Sequence, residues 1–89
     1  MIVEFDKSFY RTLIKLKNVT VLKKVERTIT KLEAAQSLND VLEVSKLTGY
    51  KKYYKIRLGD YRIGLEKINS TKIRLIIIAN RKDIYKIFP

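Results

Sequence analysis

The sequence predicts an α+β fold: an N-terminal strand, a helical hairpin and then antiparallel strands, in the order β-α-α-β-β-β with the helices packed on the sheet. Three observations carry that prediction. Apolar residues recur at helical spacing between Lys7 and about Ala35, the period drops to two from Lys52 onward, and Ile73 to Ala79 is apolar on both alternating faces. With 89 residues the chain has room for one modest core, and residues 1–89 are read as one domain. Folding at this size buries roughly 60 % of the surface that the unfolded chain exposes.

Ile2 to Phe5 reads as the first strand, β-branched and aromatic before a breaker. Asp6 is a suitable N-cap for a helix over Lys7 to Leu16, with Phe9, Leu13 and Leu16 on one face. Lys17-Asn18 is a break, and Thr20 can cap a second helix to about Ala35 whose buried stripe is Leu22, Val25, Ile29 and Leu32. Gln36 to Thr48 stays ambiguous. Asp40 and Glu43 have capping-box spacing there, which suits a brief helical turn.

The second half carries the sharper signal. Tyr53 to Leu58 and Tyr61 to Ile68 alternate on either side of Gly59-Asp60, a two-residue turn suited to type II′. Pairing Leu58 with Tyr61 sets Ile56 opposite Ile63 and Tyr54 opposite Leu65, so that one face is wholly apolar. The other face then carries Lys55 and Arg57, with Arg62 directly across from Arg57. A one-residue slip would scatter this sorting. Asn69-Ser70-Thr71 is the next turn, and Ile73 to Ala79 reads as a strand covered on both sides. The final stretch, Asn80 to Pro89, is expected to return along the sheet.

Charge is uneven along the chain. The total is +11, and residues 51–89 hold eleven Lys or Arg against three Asp or Glu, a net of +8. A polyanion is the expected partner. Basic residues on an exposed strand ordinarily form a solvated face, but only Glu66 offers a nearby counter-charge to Lys55, Arg57 and Arg62. Like charges directly opposite one another destabilise a sheet, so a bound anion, most often phosphate, explains the trio better. Arg81 ends a strand where a side chain can leave the sheet, Tyr85 follows four residues later, and a Tyr53 ring beside the cations could stack a base.

Several chemistries are excluded. With no Cys and no His, there are no disulfides, thiol nucleophiles or imidazole bases. Asp60, Glu66 and Asp83 show no clustering suited to an oxygen-ligand cage, so neither metal nor cofactor is expected. No Gly-rich phosphate loop or nucleophile elbow appears. The longest purely apolar run, Leu75 to Ala79, is too short to span a bilayer, and the N-terminus lacks the features of a secretory signal, so a cytoplasmic protein without a membrane partner is expected. One reaction suits Lys, Arg and Tyr alone. RNA supplies its own 2′-hydroxyl nucleophile, so cleavage needs positioning, a base and positive charge on the phosphorane.

Lys46-Leu47-Thr48-Gly49, the hairpin Tyr54-Lys55-Ile56-Arg57-Leu58-Gly59-Asp60-Tyr61-Arg62-Ile63 and the ending Asn80-Arg81-Lys82-Asp83-Ile84-Tyr85 resemble the toxins of the RelE/ParE family. Those toxins come from bacterial and archaeal toxin–antitoxin pairs, and in length and element order the likeness covers essentially the whole chain. It implies an endoribonuclease that cuts messenger RNA in the ribosomal A site and is neutralised by a cognate antitoxin. It further implies that Lys55, Arg57, Arg62 and Arg81 bind and activate the scissile phosphate; beside that, Lys82 and Tyr53 are expected as further substrate contacts. Arg62 and Arg81 are expected to stabilise transition-state charge, Arg57 to hold the backbone, and Lys55 to act as base with Tyr85 as its rival. Many relatives carry a His where this chain has Asn80. Two alternatives stand beside this reading: a ParE-like inhibitor of DNA gyrase, and a nucleic-acid-binding domain without catalysis. Retention of both Lys55 and Tyr85 beside the arginines favours the ribonuclease.

Overall fold

The computed structural model describes residues 1–89. Five strands form one mixed sheet in the order β1-β5-β4-β3-β2. They are β1 (Ile2–Phe5), β2 (Val44–Lys46), β3 (Tyr53–Leu58), β4 (Tyr61–Lys67) and β5 (Lys72–Asn80). β1 runs parallel to β5 at one edge, and every other pairing is antiparallel. Helices α1 (Lys7–Leu16) and α2 (Val19–Ala34) cover one face, and a one-turn helix α3 (Ile84–Ile87) lies on the other.

The first helix is as expected. Asp6 caps it by accepting from the Ser8 amide at 3.1 Å, and Phe9 is fully buried. Lys17 ends α1 in the left-handed conformation, φ 48°, and Asn18 rather than Thr20 caps α2, its Oδ1 accepting from the Val21 amide at 3.2 Å. The inward face also differs from the expected one. The buried stripe of α2 is Val21, Val25, Thr28 and Leu32, while Leu22 turns outward and Ile29 is only half-buried. At the far end of α2 the Met1 ammonium donates to the carbonyls of Leu32, Glu33 and Ala35 at 3.2, 2.9 and 2.7 Å. Carbonyls at a helix C-terminus lack an i+4 amide partner, Leu32 taking only a second bond from the Ala35 amide at 3.3 Å, and the helix dipole favours a cation beside them.

The hairpin register is the expected one throughout: Leu58 pairs with Tyr61, Arg57 with Arg62, Ile56 with Ile63 and Tyr54 with Leu65. Gly59 supplies the positive φ, +60°, that its turn needs. Ile56, Leu58, Ile63 and Leu65 join Phe9, Val25, Leu32, Ile73 and Leu75 in the core between helices and sheet. β5 carries a bulge against β4 between the Gly64–Ile77 and Leu65–Leu75 pairs, which turns Ile76 and Ile77 toward the opposite face. α1 satisfies the backbone there: the Ser8 hydroxyl donates to the Ile76 carbonyl, and the Ile78 amide donates to Thr12 Oγ1 at 3.1 Å.

Two segments differ from expectation. Within Gln36 to Thr48 the helical turn is a 3-10 turn over Leu38–Asp40, and its capping box joins Ser37 and Asp40 rather than Asp40 and Glu43. The same segment contributes β2, a short edge strand that the sequence reading lacked. Asn80 still belongs to β5, and the nine residues after it do not return along the sheet; they fold across its open face, where Ile84 and Phe88 bury themselves beside Leu47. No helix is long and apolar enough to cross a membrane.

Candidate active site

Strand alternation puts Lys55 and Arg57 of β3 and Arg62 and Gly64 of β4 on the face away from α1 and α2, because their neighbours Ile56, Leu58, Ile63 and Leu65 are held in the core. β2 adds an outer wall, with Ser45 paired to Lys55. The result is a groove of about 350 Å³ lined by Lys55, Arg57, Arg62, Tyr85, Ser45 and the Leu42–Val44 segment. Its one carboxylate, Glu43, is taken up by Lys31 at 3.1 Å. That hydrogen bond holds the Glu43 carboxyl below the usual carboxylate range. None of the groove cations makes an ion pair within 4.0 Å, although the Arg57 charge adds to the lowering of Glu43. Arg62 Nη1 donates to the carbonyls of Gly59 at 2.6 Å and Tyr61 at 2.8 Å, which fixes the guanidinium at the turn.

Tyr85 reaches this groove from the other end of the chain. Gly64 sits at the middle of β4 with the Phe88 ring directly over it; a Cβ at that position would stand 2.7 Å from the ring. Only glycine leaves room for that ring, and its edge-on contact with Tyr53, centroids 5.5 Å apart, seats it further. Ile84 and Phe88 are buried at 1 % and 4 % exposure, whereas Tyr85 between them is 57 % exposed. Thus α3 is pinned at both ends and turns Tyr85 toward Lys55. The Lys55 ammonium donates to the Tyr85 hydroxyl and lies 4.8 Å from the ring centroid.

The structure brings together Lys55, Arg57, Arg62 and Tyr85. It leaves the other three candidates outside the groove. Arg81 is exposed beyond β5, its amide bonded to the Asp60 carbonyl at 2.8 Å. Lys82 is exposed in the same turn, where its amide donates to Asn80 Oδ1 at 3.0 Å. Asn80 is thus a turn-former in this chain. Tyr53 is half-buried between Tyr50 and Phe88, with ring centroids 5.7 and 5.5 Å away, so it supports α3 from beneath. Sequence reasoning missed the wall residues Glu43 and Ser45, since β2 was unseen, and also the Gly64–Phe88 contact. A glycine inside an alternating strand is the signal that marks such a close approach.

Chemically, the groove offers two guanidinium groups, an ammonium and a phenol in an open cleft, a set that suits a phosphodiester. No family model matches the chain. It is 40% identical over 85 residues to Toxin RelE3 of Methanocaldococcus jannaschii, spanning 91% of this chain and 96% of that protein. Among solved structures it is similar to the RelB-RelE antitoxin-toxin complex from Methanococcus jannaschii, with TM-score 0.79 and 36% identity over 97% of this chain and 99% of that one. The archaeal RelE-RelB complex from Pyrococcus horikoshii OT3 shares the fold, with TM-score 0.71 and 23% identity over 90% of this chain and 93% of that one. Fold, element order and sequence agree over nearly the full length, and the chain belongs to the RelE family of toxins.

Proposed function

We propose that this toxin is an endoribonuclease that cuts messenger RNA in the ribosomal A site, acts in the cytoplasm without a metal ion, and is neutralised by a cognate antitoxin. The observation that carries the reading is the Lys55–Tyr85 contact inside a groove walled by Arg57 and Arg62. The scissile phosphate lies against the two guanidinium groups, whose charge opposes the charge that develops on the phosphorane. The ribose 2′-oxygen attacks phosphorus and its proton passes to Lys55, which accepts it as the free amine and becomes the ammonium, with Tyr85 orienting that group and competing for the same proton. The bond to the 5′-oxygen breaks, and that oxygen takes a proton from water. The products are a 2′,3′-cyclic phosphate and a 5′-hydroxyl end. Arg81 and Lys82, outside the groove in the adjoining turn, are left to meet the RNA beyond the scissile phosphate.

Metal-free chemistry fits the donor set, since no three carboxylates come together and the chain has neither His nor Cys. The excess of +8 over residues 51–89 gives an acidic antitoxin segment its target. The test uses ribosomes programmed with a short message. A single 2′-deoxy substitution at the cleaved nucleotide abolishes the cut, and the natural message yields a 2′,3′-cyclic phosphate. Cleavage of the deoxy message, or a 5′-phosphate product, overturns the mechanism.

A further inference from the structure

A second depression of about 370 Å³ adjoins the cationic groove, and Lys55 and Tyr85 line both. On its far side stand Tyr50, Leu47, Phe88 and Lys86. The character changes across the Lys55–Tyr85 divide. One side presents Arg57 and Arg62; the other presents an aromatic ring and buried apolar side chains with a cation at the rim. Tyr50 is held there by local geometry. Its amide donates to the Leu47 carbonyl at 3.2 Å, closing a turn in which Gly49 takes φ +86°, a value that a type II turn requires. The turn runs over Leu47–Tyr50 and so takes in most of the Lys46-Leu47-Thr48-Gly49 stretch. The Tyr50 ring stands edge-on to Tyr53 and is still 46 % exposed.

We propose that this second depression is a nucleobase subsite in which Tyr50 stacks the base of the nucleotide next to the phosphate held by Arg57 and Arg62. The proposal rests on the ribonuclease reading of the groove and adds to it a residue and a ligand part. A strand carries its anionic phosphates and its flat apolar bases in alternation. Two adjoining depressions, one cationic and one aromatic, match that alternation in chemistry. The pair Lys55–Tyr85 then lies between phosphate and base, where the ribose must be.

The probe is an uncleavable hexaribonucleotide bearing 2′-O-methyl groups, with a series in which one base at a time is removed. Binding is followed by anisotropy at low salt. Replacing Tyr50 with Ala weakens binding about tenfold, the scale of one lost base stack, while Tyr50→Phe binds as the natural protein does. Tyr50→Leu keeps the apolar contact with Tyr53, so its fold stands even if the Ala variant's does not, and it shows the same loss as Ala. At one position in the series, base removal weakens the natural protein by that factor and leaves Tyr50→Leu unaffected. If both Tyr50→Ala and Tyr50→Leu bind normally while Arg57→Ala and Arg62→Ala do not, the subsite is wrong and the groove reading survives. If the natural protein binds the hexamer neither free nor placed in the ribosomal A site, both fall.

Discussion

The open face of the sheet has two charged regions built from the same residue types in opposite ways. Toward β1, Glu4 bonds Arg74 at 3.0 Å and Lys72 at 3.4 Å, and Glu66 bonds Lys52 at 3.1 Å and reaches Arg74 at 4.0 Å. Every cation there has a carboxylate. Toward β2, Lys55, Arg57 and Arg62 have none within ion-pair distance, since Glu43 in the same groove is bonded to Lys31, and Arg57 and Arg62 stand directly across from one another. If the basic residues served only solubility, both regions could have been left bare or both paired. The contrast teaches that the positive groove is a local departure from how this chain handles charge. Such a departure costs some stability and is expected where an anion must bind.

The largest effect should come from Arg62→Gln. Loss of one preorganised charge at a developing oxyanion costs about 10²- to 10³-fold in rate. The melting temperature should move little, since relief of the Arg57–Arg62 repulsion offsets the two lost carbonyl contacts. Single-turnover cleavage and a thermal melt on one sample check this. A variant that melts much earlier and still cleaves normally would make Arg62 a structural residue. Next comes Gly64→Val. Its Cβ collides with the Phe88 ring, so either the sheet strains or α3 lifts away, at about 1–3 kcal/mol. Since α3 carries Tyr85, cleavage should fall although no groove cation has changed. Tyr85→Phe in that background should then add almost nothing, because residues acting through one contact are not additive.

These two variants mark what was legible in the sequence and what was not. The Arg57–Arg62 pairing followed from alternation and a Gly-Asp turn, because a half-buried hairpin tolerates only one register. Lys55, Arg57 and Arg62 were therefore placeable on one face before any coordinates. The Gly64–Phe88 contact joins residues 24 apart through a ring lying on a bare backbone, and no periodicity encodes that. β2 escaped for a related reason: three residues at a sheet edge, paired on one side only, are too short to show a period. Leu22 and Ile29 are half a face away from the buried stripe because Val21, Val25, Thr28 and Leu32 also recur at helical spacing, and the polar Thr28 hides that face from a hydrophobic pattern. The seating of Tyr53 beneath Phe88 likewise depends on where the chain end falls.

Glu66→Gln tests the paired region, and its effect should be smaller. It removes the partner of Lys52 and one partner of Arg74, for a loss below about 1 kcal/mol in a urea melt. Cleavage should be unchanged. If it rises or falls as strongly as with Arg62→Gln, the whole face acts as one diffuse field, and the distinction between the two regions fails.

The smallest effect is the pH dependence of the paired region. Hydrogen bonding from Arg74, then from Lys72, holds the Glu4 carboxyl below the usual carboxylate range, and Ser8 does the same for Asp6. A carboxyl whose folded-state value is depressed stabilises the fold above its unfolded value and loses that contribution as pH falls through the folded one. Lys52 is raised by its bond to Glu66. Its contribution is complete below the unfolded lysine value and is lost as pH rises through the folded one. Melting temperature should therefore be flat near neutrality and decline at both extremes. Glu4→Gln should flatten the acid limb, and Lys52→Gln the alkaline one. Both groups are exposed, so added salt should flatten the limbs as well. An acid limb that survives Glu4→Gln undiminished would mean that the ion pairs of this region do not hold β1 to β5.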